Sequence, residues 1–336
     1  MTSPGHRPVI AVLCADQGDR PPHVEPVELR ADLRYSDTAG LADAVDGAQA
    51  LLLWDFFSTA AEDVWSRAGD LQWIHVAAAG VDKLLFDDLV QSNVIVTNAR
   101  GVFDRPIAEF VLASVLAHAK QLHVSHELQR EKSWQHRETD SIYGQHALIV
   151  GTGAIGREAA RLLSAVGMSV QGAGRTARSD DPDFGEVVAS SRLVEHVGAA
   201  DHVVVTAPLT EQTLRLLDAE VFASMKPSAH VVNVGRGPIL DEEALVNALR
   251  GGQIAAASLD VFASEPLPAD SPMWSTPGLF VSPHLSGDAR GWRDTLAHQF
   301  VDNALRWLDG VELFNVVDKK LGFVPSSSAV RPQELP

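Results

Sequence analysis

The sequence predicts an α/β fold made of two doubly wound parallel-sheet domains, and three observations carry that prediction. Short apolar runs alternate with helical stretches along nearly the whole chain. At residues 146–156, HALIVGTGAIG, an apolar run ends in three glycines and passes into an apolar-periodic stretch. The length, 336 residues, suits about two domains with sizeable cores.

The order strand, tight turn, helix makes the glycine pattern a dinucleotide-binding fingerprint rather than a turn merely rich in glycine. Gly151 permits the turn, Gly153 lets the backbone approach a pyrophosphate, and Gly156 lets the helix lie close to the strand. Ala154 and Ile155 open that helix, whose free N–H groups and positive dipole end favour phosphate.

Composition narrows the class. The chain is 46% hydrophobic with a mean hydropathy near zero, as in a soluble globular protein. A net charge of −17 argues against nucleic acid or an anionic membrane as a partner. It does not argue against an anionic substrate, because one local arginine overrides the average. The single Cys14 allows neither an internal disulfide nor a cysteine metal cluster and suits a reducing compartment. No apolar run spans a bilayer, and MTSPGHRPVIAVLC lacks the basic-then-apolar layout of an export signal. The expected location is the cytoplasm.

In the first hundred residues, VIAVLC at 9–14 reads as a buried strand and 16–26 as a loop. ALLL at 50–53 is a second strand. Trp54-Asp55-Phe56-Phe57 follow it at the edge where open α/β sheets bind ligands, so Trp54 is either a pocket-lining or a core residue. QWIHV at 72–76 is a third strand, and the small residues after it bring backbone N–H groups close to a ligand. VIVTN at 94–98 is a fourth.

A strongly apolar helix is expected over 106–122, with Pro106 in its first turn and Ile107, Phe110, Val111, Val115 and Leu116 nearly all round it. Such a helix lies between domains or at a subunit contact. His118, His123 and His126 read as structural, without the acidic or thiol companions of a metal site. Beyond the glycine turn, strands are expected at 168–172, 202–206, 230–234, 254–259 and 279–282. Helical stretches are expected at 190–198, 213–224, 241–250 and 293–308, the last returning to the first domain. The polar segment 325–336 reads as disordered.

The cofactor's ribose should reveal itself about eighteen residues past Gly156, where an acidic residue binds a 2′-hydroxyl. That position is Gly174, followed by Arg175 and Thr176, with Arg178 close by. An arginine fork and a hydroxyl match a 2′-phosphate, so NADP(H) is preferred over NAD(H). The alternative is that Arg175 stacks on the adenine of either dinucleotide.

Three residues past predicted strand ends carry chemistry: Arg236 in NVGRG, Glu265 in DVFASEP and His284 in SPHLSG. Singly, each has an ordinary reading as a loop cap, a solvated acid or a core histidine. Together, beside a nicotinamide, they make a reaction centre. Histidine donates a proton at a carbonyl oxygen, a carboxylate favours its charged form and fixes its tautomer, and arginine clamps a substrate carboxylate.

These motifs resemble the D-isomer-specific 2-hydroxyacid dehydrogenase family. They include AAAGVD at 77–82, TNARGV at 97–102, TAPLT at 206–210, NVGRGPILDEEAL at 233–245, LDVFASEPLP at 259–268 and SPHLSG at 282–287. The resemblance implies catalytic roles for Arg236, Glu265 and His284, and a substrate-carboxylate loop at Ala79, Gly80 and Val81. It implies cofactor contacts at Ala207, Pro208, Val234, Gly235, Asp260, Ser286 and Gly287, besides the glycine turn and residues 174–176. It further implies a Rossmann domain, 100–287, inserted into a flavodoxin-like substrate domain, 1–99 with 288–324, and a homodimer formed through helix 106–122.

Some positions depart from the pattern. Ala78 replaces the first glycine of the usual carboxylate loop, and Glu265, where a glutamine marks formate oxidation, speaks against that activity. WDFF is similar to the glyoxylate/hydroxypyruvate reductase branch, and no added C-terminal regulatory domain is expected. The expected activity is NADP(H)-dependent interconversion of a small 2-oxo acid and its D-2-hydroxy acid. The alternatives are a catalytically silent, co-repressor-like dinucleotide sensor and a dehydrogenase of another small anion such as phosphite.

Overall fold

A computed structural model describes residues 7–16 and 18–325. The chain divides into two compact units, residues 1–103 with 290–336, and residues 104–289. The tail expected to be disordered lies, from residue 326 onward, outside the described residues.

The first unit is built on strands β1 (Val9–Leu13), β2 (Asp32–Ser36), β3 (Ala50–Leu53), β4 (Trp73–Val76) and β5 (Ile95–Asn98). They pair in the order β2-β1-β3-β4-β5, all parallel, which is the flavodoxin-type arrangement. β1, β3 and β4 are buried throughout, and apolar except for His75, because both faces are covered. Strand β2 was not expected from the sequence. DLRYS is a half-exposed edge strand, so it lacks the apolar run that marks its neighbours. Four short helices, α1 (Glu25–Glu28), α2 (Leu41–Val45), α3 (Ala60–Asp63) and α4 (Asp87–Gln91), complete the connections.

The second unit opens with α5 (Asp104–Ala119) and α6 (Leu122–Arg130). The helix expected over 106–122 therefore starts earlier and stops at Ala119, because Gln121 takes a left-handed conformation with φ 49°. Arg137 Nη2 donates to the Gln121 carbonyl at 2.9 Å and holds that break. Next come β6 (His146–Val150), α7 (Ala154–Ala165), β7 (Ser169–Gly174), β8 (Arg178–Asp181), β9 (Gly185–Ala189), α8 (Val194–Val197), β10 (His202–Val205), α9 (Ala219–Ser224), β11 (His230–Asn233), α10 (Glu242–Arg250), β12 (Ala256–Leu259) and β13 (Leu279–Val281).

The sheet order is β13-β12-β11-β10-β6-β7-β9-β8, parallel except for the β8–β9 hairpin. Strand order reverses between β6 and β10, the switch point where such sheets bind dinucleotides. The hairpin is not among the expected strands: its charged sequence, RSDD, has no apolar run to mark it. The helix expected over 213–224 begins only at Ala219, capped by Asp218. Ahead of it, Thr213 Oγ1 accepts from the Thr210 N–H at 2.8 Å and donates to the Pro208 carbonyl at 2.7 Å, which favours a turn over helix.

The chain then re-enters the first unit with α11 (Trp292–Leu308). Phe300 on this helix stacks on Trp73 of β4, centroids 5.9 Å apart and planes within 11°.

Candidate active site

Strands β11, β12 and β13 are neighbours, and the loops leaving their C-terminal ends carry Arg236, Glu265 and His284 respectively. The first two loops are pressed together at Gly237. A Cβ there would stand 1.9 Å from the Phe262 carbonyl carbon, so glycine alone allows the approach. Asn233 clasps the first loop from below: its Oδ1 accepts the Gly235 N–H at 3.0 Å and its Nδ2 donates to the Arg236 carbonyl at 3.1 Å.

Glu265 interacts with both of the other groups. Its Oε1 accepts the Phe262 N–H at 2.9 Å, and its Oε2 accepts from His284 Nδ1 at 2.7 Å. Burial opposes its ionisation. The bonds from His284 and Phe262 and the charge of Arg236 outweigh that and hold the carboxyl below its ordinary value.

His284 has φ 53°, a left-handed conformation that few side chains adopt. The fully buried Asp260 fixes the loop on both sides of it. The Asp260 carboxylate accepts from Ser282 Oγ at 2.5 Å and from the N–H groups of Leu285 at 3.0 Å and Ser286 at 2.8 Å. Asp260 and Ser286, expected at the cofactor, anchor the His284 loop in the structure.

At the switch point, the three glycines behave differently. A Cβ on Gly151 would lie 2.5 Å from the Ala207 nitrogen, and φ there is 112°. A Cβ on Gly156 would lie 2.0 Å from the Gly151 oxygen. A Cβ on Gly153 would meet nothing within 4 Å. Two glycines are thus demanded by packing, while the third keeps open the space at the helix α7 N-terminus, led by Ala154 and Ile155. A pyrophosphate placed there would meet the free N–H groups of the helix start. Gly235 closes on the same place, since its Cβ would lie 2.7 Å from the Ala207 oxygen; Val234 pairs with β10 through Val205.

At the end of β7, a Cβ on Gly174 would crowd Thr152 Oγ1 at 3.0 Å, which leaves little room for an acidic side chain. Arg175 and Thr176 are exposed beyond it. Arg178 is engaged with Asp181, Nε to Oδ2 at 2.8 Å. Asp181 and Asp183 also bind Arg157, and the sequence reading has no counterpart for those two bonds, because the partners are 24 and 26 residues apart.

Of the substrate-side residues, Trp54 in the first unit is 3% exposed and its Nε1 has no hydrogen-bond partner. The guanidinium of Arg293 lies 4.9 Å from its ring centroid. The loop of Ala79, Gly80 and Val81 is held by Asn98 Nδ2, which donates to the Ala79 carbonyl at 2.5 Å.

Among the described residues, no group of three or more His, Cys, Asp or Glu could hold a metal ion, and no helix is long and apolar enough to cross a membrane. His118 stacks on His230 with centroids 4.5 Å apart, and His123 meets Phe280 edge-on.

Fold and site together define an oxidoreductase with a nicotinamide-dinucleotide domain. Residues 112–286 match the model of the D-isomer specific 2-hydroxyacid dehydrogenase NAD binding domain. The chain is 31% identical over 274 residues to (S)-sulfolactate dehydrogenase of Chromohalobacter salexigens, covering 81% of this chain and 88% of that one. It is 32% identical over 262 residues to glyoxylate/hydroxypyruvate reductase B of Yersinia enterocolitica, covering 76% and 80%. A D-isomer specific 2-hydroxyacid dehydrogenase of Xanthobacter autotrophicus Py2, solved with NADPH and MES, superposes with a TM-score of 0.79 at 31% identity, covering 93% of this chain and 99% of that one. The chain belongs to the D-isomer-specific 2-hydroxyacid dehydrogenase family, whose chemistry is NAD(P)-dependent oxidoreduction of 2-hydroxy acids.

Proposed function

We propose that the protein reduces a small 2-oxo acid to its D-2-hydroxy acid, and runs the reverse oxidation, with NADP(H) as the preferred dinucleotide. The observation that carries the reading is the Glu265–His284 bond beside the Arg236 loop. The dinucleotide, when bound, supplies or accepts the hydride. His284 does the proton work: with Nδ1 committed to Glu265, it delivers a proton from Nε2 to the carbonyl oxygen, and takes one back in oxidation. Glu265 fixes the tautomer and the orientation of the ring. Arg236 clamps the substrate carboxylate, which orients the adjacent carbonyl. The family resemblance assigns the Gly80 and Val81 N–H groups and Trp54 to substrate binding.

Three features support NADP(H). Thr152 crowds the position where an acid would bind a 2′-hydroxyl. Arg175 and Thr176 stand exposed just beyond it. The Xanthobacter relative was solved with NADPH. A homodimer through α5 and a cytoplasmic location belong to the same reading.

The test is absorbance decay of NADPH, and separately NADH, with a panel of 2-oxo acids: glyoxylate, hydroxypyruvate, pyruvate, phenylpyruvate and branched analogues. Faster loss of NADPH with one of them is expected. Equal use of NADH removes the cofactor preference and leaves the proton chemistry standing. No turnover with any acid, despite NADPH binding, favours the dinucleotide-sensor alternative.

A further inference from the structure

Asp181 stands in RSDDPD and reads as one more surface acid, yet its side chain is 3% exposed. Its Oδ1 accepts from Arg157 Nη1 at 2.8 Å, and its Oδ2 from Arg157 Nη2 at 2.9 Å and Arg178 Nε at 2.8 Å. Oδ1 also accepts the Asp183 N–H at 3.1 Å. Arg157 belongs to the first turn of α7, directly after Gly156. Arg178 opens β8, two residues past Thr176. Asp183 adds a contact to Arg157 Nη1 at 2.6 Å. One carboxylate therefore ties the segment after Gly174 to the helix that starts at the glycine turn. Its acceptor positions are filled by arginine and backbone donors, so it does not serve as the acid that receives a ribose hydroxyl.

We infer that Asp181 is a positioning residue for dinucleotide choice. It registers residues 175–178 against the glycine turn, so that Arg175 and Thr176 meet the 2′-phosphate while the pyrophosphate lies over Gly153. The inference rests on the NADP reading above. A 2′-phosphate and a pyrophosphate belong to one ligand, and their two protein contacts must keep a set spacing. A ligand without the 2′-phosphate needs only the glycine turn and is indifferent to that spacing. The bidentate Arg157 fork supplies the rigidity, because two parallel bonds define an orientation and one does not.

The experiment is calorimetric titration of the intact protein with adenosine 2′,5′-bisphosphate and, separately, AMP, which differ only in the 2′-phosphate. In D181N, binding of the bisphosphate should weaken about tenfold, and AMP by less than about twofold. R157K keeps the charge but cannot form the fork; it should show the same selective loss and keeps the test open if D181N does not fold. Equal weakening of both ligands in the variants would assign Asp181 a merely structural role and overturn the inference. Unchanged or tighter bisphosphate binding would overturn it too. Equal binding of both ligands by the unmodified protein would remove the NADP reading itself, and the inference with it.

Discussion

His284 Nδ1 donates to Glu265 Oε2 across 2.7 Å, while the other Glu265 oxygen accepts the Phe262 N–H at 2.9 Å. The carboxylate is thus fixed by the backbone before it fixes the imidazole. Replacing Glu265 by Gln keeps the shape and removes the charge. E265Q should lower kcat/KM about tenfold to a hundredfold while leaving KM nearly unchanged, since Glu265 acts through His284 rather than on the substrate. Steady-state kinetics of the purified variant check this. An unchanged kcat would deny Glu265 its role.

Arg236 offers a planar fork to a carboxylate, and lysine does not. R236K should raise KM for the 2-oxo acid about tenfold or more, with a smaller effect on NADPH binding. Comparing substrate KM with the NADPH dissociation constant separates the two. Equal losses in both would place Arg236 on the cofactor instead.

The glycine turn allows fold and function to be separated by one methyl group. A Cβ at Gly153 meets nothing, whereas one at Gly151 meets the Ala207 nitrogen at 2.5 Å and φ there is 112°. G153A should keep its melting temperature and lose NADPH affinity. G151A should lose stability itself, by about 1 kcal/mol or more. A thermal scan and a binding titration on both variants distinguish the cases. Normal binding by G153A would mean that the pyrophosphate does not pass there.

Buried histidines make stability depend on acid: His75, which burial lowers to about 3, and the pair His202 and His230. Burial lowers His202 to about 4 and His230 well below 6.5, and the two Nδ1 atoms are 3.2 Å apart, so one ring donates and the other accepts. His118 stacks on His230, and Gln145, Asp201 and Lys226 adjoin His202. Their folded pKa values lie below the unfolded value near 6.5, so the unfolded state binds the extra protons. Stability is full above pH 6.5 and falls as pH drops toward 4, by about 1.4 kcal/mol per pH unit for each proton. Glu265 and Asp181, whose pKa values are depressed, add their loss only below the ordinary carboxylate range. Urea midpoints between pH 8 and 4.5 test the sign, and a flat profile contradicts it.

The sequence made legible what repeats a local pattern. β1 and β3 are wholly apolar and β4, β6, β10 and β11 mostly so, because parallel strands are covered on both faces, and each run announces itself. The edge strand β2 and the charged hairpin β8–β9 carry no such signature, and both were missed. The positions of Arg236, Glu265 and His284 past strand ends could be read from motifs. Their mutual geometry could not, because it depends on contacts across the chain: Gly237 against Phe262, and Asp260 against Ser282, Leu285 and Ser286. Asp181 was illegible for the same reason, since its partner Arg157 is distant in sequence.

The central claim is that His284 moves the proton in the reduction of a 2-oxo acid. It is tested most directly by NADPH absorbance decay at neutral pH with the best 2-oxo acid, comparing the unmodified protein with H284Q at matched NADPH saturation. The account predicts brisk turnover by the former and a loss of about a hundredfold to ten-thousandfold in the latter, with NADPH affinity retained. Full turnover by H284Q would contradict it.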